Sequence, residues 1–169
     1  ALQYALYACC LENAHYDHAD EAYSKVMQTY FDLNEIRVTT VGELSELMRG
    51  LPDPSAAAMR LRQVLQNGFE SCYSFDIDSI RKQNIGKAIE LLEKYQATPF
   101  VVSYVTQQGL AGHSIPKDAG VLQALYIVGA ITAAEAKQGT SPGLERTISK
   151  NKGSEFSSLL HQLGADVFK

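Results

Sequence analysis

Apolar positions along the chain recur at intervals of three and four residues, the spacing that puts side chains on one face of an α-helix. Residues 2–12 are apolar almost all round (Leu2, Tyr4, Ala5, Leu6, Tyr7, Ala8, Leu11), as expected of a buried helix. Residues 18–31 set Ala22, Val26, Met27 and Tyr30 on one stripe and predict an amphipathic helix. Thr40-Val41-Gly42-Glu43 reads as a capping box that opens a helix ending near Gly50. Asp53-Pro54 supplies a cap and a proline at the first helical position. The helix it starts is predicted to run to about Ser74, with Met59, Leu61, Val64, Leu65 and Phe69 inward. Further helices are predicted at 84–95, 98–109, 117–128, 132–138, 142–150 and 154–167. Thr98-Pro99 and Ser141-Pro142 repeat the cap-plus-proline start, and Thr132 to Glu135 repeats the capping box. Alternating patterns are nearly absent; Ile36-Arg37-Val38-Thr39 is the best candidate strand and is too short to stand alone. The pattern predicts an all-α fold of about ten short helices in a single domain over residues 1–169.

Composition narrows the class. Apolar residues make up 46% and charged residues 20% of the 169, the balance of a globular chain able to build a core. No apolar run approaches the roughly 18 residues of a membrane span, so no membrane partner is expected. Ala1-Leu2-Gln3-Tyr4 is read as the trimmed edge of a longer chain rather than a signal peptide. Cys9, Cys10 and Cys72 cannot pair completely, and no C-x-x-C occurs. A reducing, cytoplasmic setting is therefore expected, with no metal and no cofactor. His15-Tyr16-Asp17-His18 has the look of a metal cluster but offers one acid and no obvious fourth ligand, and reads better as a polar loop capping the next helix.

The net charge of −4 argues against a protein that coats nucleic acid. Its distribution is uneven. Residues 1–53 carry nine acids and three bases, whereas residues 54–169 carry ten acids and twelve bases. Any phosphate-facing surface is expected on the second half.

Two stretches there carry more than periodicity. One is Tyr95-Gln96-Ala97-Thr98-Pro99-Phe100-Val101-Val102-Ser103-Tyr104-Val105; the other is His113-Ser114-Ile115-Pro116-Lys117-Asp118, followed by the helix from Ala119 to Val128. Together they resemble the signature of the helix-hairpin-helix DNA glycosylases, the superfamily of endonuclease III and the 3-methyladenine DNA glycosylases. In that pattern a Gly-rich hairpin opens one helix, and a catalytic Asp begins the next after a short apolar-Pro turn. Residues 2–31 and 40–74 look like two pairs of the family's barrel helices, and Glu155 to His161 looks like the helix behind its active site. The resemblance implies a helical barrel that binds double-stranded DNA, with Gln96, Ala97, Thr98 and Phe100 at the DNA.

The departures are as informative. The family's hairpin glycines let backbone N–H groups approach a phosphate closely, and residues from Gln96 to Thr98 stand there instead. Phe100 occupies the place of the Lys that attacks the sugar in bifunctional members, so no β-lyase activity is implied. The cluster cysteines of endonuclease III would fall at or beyond Lys169, so no iron–sulfur cluster is expected in this chain.

The resemblance implies a monofunctional N-glycosylase acting on a flipped damaged or mismatched base. Asp118 would be its catalytic carboxylate, facing the positive charge that builds on the sugar as the N-glycosidic bond breaks and orienting the attacking water. Tyr104 and Tyr126, with Phe100, are the aromatic candidates for a base pocket. Each residue has a plainer reading. Asp118 is also an ordinary acid at a helix start, Thr98 a helix cap, and Phe100 a core side chain. Glu12 and Asn13 fall in a loop that contacts DNA in the family, and His113 and His161 read as structural. The rival functions are a catalytically inactive DNA- or protein-binding module of the same fold, and a helical regulator with a long apolar groove in place of a pocket at Asp118.

Overall fold

The computed structural model describes residues 1–72 and 84–168. Their regular structure is all helical: α1 Leu2–Leu11, α2 Tyr16–Thr29, α3 Leu33–Val38, α4 Val41–Leu47, α5 Pro54–Cys72, α6 Ile85–Lys94, α7 Pro99–Tyr104, α8 Ala119–Ile127, α9 Ala133–Gln138, α10 Leu144–Thr147 and α11 Lys150–Val167. A π-helical turn, Val105–Gly109, continues α7. Among the described residues no helix is long and apolar enough to cross a membrane.

The capping expectations at Thr40 and Thr132 hold in detail. Each hydroxyl accepts from the backbone N–H three residues on, and Glu43 or Glu135 reaches back to the cap's own N–H. The candidate strand Ile36–Thr39 is instead α3 and its cap. Asp32 accepts from the Glu35 N–H at 2.8 Å while Glu35 accepts from the Phe31 N–H at 2.7 Å. That local bonding settles the segment as helix before any partner strand could matter. Met59, expected inward, is 55% exposed, because the buried face of α5 runs through Ala57, Ala58, Leu61, Val64 and Leu65.

Two apolar clusters form the interior. The larger joins α1 to α5 with α7, through side chains such as Leu6, Leu11, Val26, Leu44, Leu61, Phe100 and Val101. The smaller gathers Ile115, Val121, Leu125, Ile131 and Leu160 around α8 and α11. These two helices cross with almost no space between them. A Cβ built on Gly120 would lie 2.4 Å from the Gly164 carbonyl oxygen, and one on Gly164 would lie 2.6 Å from the Val121 nitrogen. Backbone meets backbone, so neither position accepts a side chain without moving a helix. Gly120→Ala is therefore expected to cost about 3 kcal/mol of stability, read as a lowered urea midpoint with an unchanged slope.

Candidate functional site

The α1–α2 turn, the start of α8 and the middle of α11 meet at Asp118, between the two apolar clusters. Asp118 is the N-cap of α8, and its Oδ1 accepts from the Val121 N–H at 2.8 Å. Its Oδ2 accepts from the backbone N–H of Asn13, also at 2.8 Å. Asn13 returns the contact: its side-chain oxygen accepts from the N–H groups of Ala119 and Gly120 at 3.0 and 3.4 Å. Three free donors at the head of α8 are thus satisfied by one cap and one loop residue. Asn13 adopts φ +64° to do this, a left-handed conformation that Asn tolerates better than most residues.

His161 closes the cluster from α11. The Ala14 carbonyl accepts from its Nε2 at 2.8 Å, and its Nδ1 lies 3.4 Å from Asp118 Oδ2 without a hydrogen bond. Its ring packs edge-on to Tyr16, with centroids 5.2 Å apart, and lies 5.5 Å from the Phe100 ring. The Asp118 side chain is only 1% exposed. Both its oxygens accept from backbone N–H groups of the protein.

The hairpin leads into the helix that carries Phe100. It joins α6 to α7 through Tyr95, Gln96, Ala97 and Thr98, with Gln96 at φ +58° taking the left-handed role that glycine usually fills. Two of its amides are already engaged. The Gln96 and Ala97 N–H groups donate to the carbonyls of Glu93 and Leu92 at 2.9 and 3.1 Å, ending α6. The Val101 N–H donates to the Thr98 hydroxyl at 3.3 Å, and that hydroxyl donates to the Glu12 carboxylate at 2.7 Å. An internal carboxylate therefore stands where α7 would offer its positive end to an anion. Glu12 is in turn 3.3 Å from the Arg60 guanidinium, which also donates to the Cys9 carbonyl at 2.9 Å.

Several sequence expectations need correction here. Phe100 is 2% exposed and its ring belongs to the main core rather than to a cleft wall. Tyr126 is 50% exposed near the far end of α8, roughly 12 Å along the axis from Asp118, and cannot wall a pocket there. Tyr104 does pack beside Phe100, with ring centroids 6.2 Å apart. Together they line a cavity with Gln107, Ser157 and His161, but its free space is about 10 Å³. That admits one water, against the roughly 300 Å³ or more of a ligand pocket. Gln107 is the plug, donating to the Ser114 carbonyl at 2.7 Å and to the Ser157 hydroxyl at 2.9 Å. His15 is the N-cap of α2 by position but makes no side-chain cap bond. Among the described residues no group of His, Cys, Asp or Glu could hold a metal ion.

A larger opening lies elsewhere. A groove of about 410 Å³ runs between α6 and α7, floored by Ile85, Ile89, Pro99 and Val102 and edged by Glu93, Ser103 and Ser114. No family model matches the sequence, and none of the curated proteins does.

The bonding at Asp118 fixes what its loss should do. Asp118→Ala strands the N–H groups of Asn13 and Val121 and removes the charge beside His161, and is expected to cost about 3 kcal/mol of unfolding free energy in urea titrations. A second expectation concerns Glu12. Burial pushes its carboxyl above the ordinary value of 4.5, against the lowering pull of the Arg60 guanidinium and the Thr98 hydroxyl. An acid with a raised folded-state value stabilises the fold when protonated, and that contribution falls as pH rises through the raised value. The stability difference between wild type and Glu12→Gln, measured from about pH 4 to about pH 7, should therefore move in favour of the variant.

Proposed function

We propose that this chain is a non-catalytic binding module built on a glycosylase-like helical frame, with another protein rather than duplex DNA as its partner. One observation carries the reading: the Asp118 carboxylate, 1% exposed, is held by the backbone N–H groups of Val121 and Asn13. A group that must face a sugar and orient a water needs an open side at about 3 Å from the reacting atom, and this one is spent on holding α8. The Gln96, Ala97 and Val101 amides, each already donating within the chain, support the same reading, since they have little left to offer a phosphate. So does the apolar groove between α6 and α7, which has the character of a surface for an apolar protein segment.

A second reading, the monofunctional N-glycosylase acting on double-stranded DNA, is favoured by one specific contact. His161 touches both the Asp118 carboxylate and the Phe100 ring. The catalytic place of the resemblance and its hairpin helix are thus neighbours through a single side chain. Catalysis would require the Asn13 turn to open and Gln107 to leave its cavity.

The two readings separate in one set of measurements on purified protein. Duplexes carrying uracil, alkylated purines or mismatches are incubated with wild type and with Asp118→Asn, and an abasic-analogue duplex is titrated at 50 and 200 mM salt. The module reading expects no released base, and only the weak, steeply salt-dependent affinity of non-specific contact, with Kd of about 10⁻⁴ to 10⁻⁶ M. Base release that disappears in Asp118→Asn would overturn it in favour of the glycosylase.

A further inference from the structure

One flank of α11 bears a pattern of which packing within the chain uses only Phe156, which leans on the α8–α11 cluster. Gly153, Ser157, Leu160, His161 and Gly164 turn inward. On the adjoining flank Lys152, Phe156, Leu159, Leu163 and Asp166 follow one another at steps of four and three, the spacing of a coiled-coil seam. Leu159 is 61% and Leu163 44% exposed, while Phe156 is half-buried. Beside them lies a groove of about 380 Å³ lined by Ile148, Phe156 and Leu159. Single exposed leucines are ordinary. Two in seam register with an aromatic, closed by a cation at one end and an anion at the other, are not scattered surface.

That arrangement is self-complementary in one orientation only. Two parallel copies would set Lys152 on Lys152 and Asp166 on Asp166. Two antiparallel copies, related by a two-fold axis at Leu159, set Leu159 on Leu159, Phe156 against Leu163, and Lys152 against Asp166 at both ends. We infer that α11 pairs antiparallel with a second copy of this chain through the Phe156–Leu159–Leu163 stripe, closed at each end by Lys152 and Asp166. Each Leu163 enters the partner's groove beside Ile148 and Phe156. Asp166 also lies 3.6 Å from His15 of its own chain, an exposed contact that leaves its carboxylate open to a second cation. The pairing is independent of what Asp118 does.

An 18-residue helix is about 27 Å long, and one such pair buries less than the roughly 800 Å² per partner of a standard interface. The dimer is therefore weak and set by concentration. Sedimentation velocity from roughly 10 µM to 1 mM should show the weight-average coefficient rising toward the dimer value. Leu159→Glu should stay monomeric throughout, with the far-UV circular dichroism of wild type confirming its fold. Lys152→Glu should weaken association several-fold, and Lys152→Glu with Asp166→Lys should restore it. A wild type that remains monomeric at 1 mM, or a Leu159→Glu protein that associates like wild type, overturns the pairing. Failure of the double reversal to restore association overturns its antiparallel register.

Discussion

One short hydrogen bond and two returned ones join parts of the chain that are remote in sequence. Asp118 takes the N–H of Asn13, and Asn13 takes the N–H groups that open α8. This exchange fastens the α8–α11 cluster to the α1–α5 cluster at a point where neither could otherwise satisfy its backbone. Helix α1 ends there and helix α8 begins there, so each supplies what the other lacks. His161 adds a third tie through the Ala14 carbonyl. The apolar clusters give the two groups of helices their bulk, and this polar knot fixes how they meet.

The knot also decides how the chemistry is read. A carboxylate at a helix start can serve as a cap or as a reactant, and its surroundings choose between the two. Here the donors are backbone N–H groups in fixed positions, the neighbours are the rings of Tyr16 and Phe100 about His161, and the adjoining space holds one water at most. Glu12 repeats the theme at the hairpin, where Thr98 and Arg60 hold an internal anion at the head of α7. In both places the polar group is bonded within the protein, Asp118 by backbone N–H groups and Thr98 by the Glu12 carboxylate.

Much of the frame was legible in the residues because its signals are local. Thr40 with Glu43, Thr132 with Glu135 and Thr98 with Pro99 each announce a helix start through bonds spanning three residues. Asp32 with Glu35 carries the same signal, but the β-branched pair Ile36 and Val38 drew attention to alternation instead. What the residues could not disclose was distant pairing. Nothing in Gly120 or Gly164 says that each is the other's neighbour. Nor does Asn13 say that its backbone will end at Asp118, although an Asn closing an apolar helix is a fair sign of a left-handed residue. Phe100 has the character of a core residue as much as of a cleft wall, and only the finished packing distinguishes the two.

The bond from Asn13 to Asp118 spans 105 positions of sequence. Closing so long a loop is unfavourable until most of both helical groups are in place. A knot of that span is expected to form late in assembly, and interactions that form after the folding barrier act mainly on the rate of unfolding. Its strength is then expected to govern how long the finished molecule lasts more than how quickly the chain gets there.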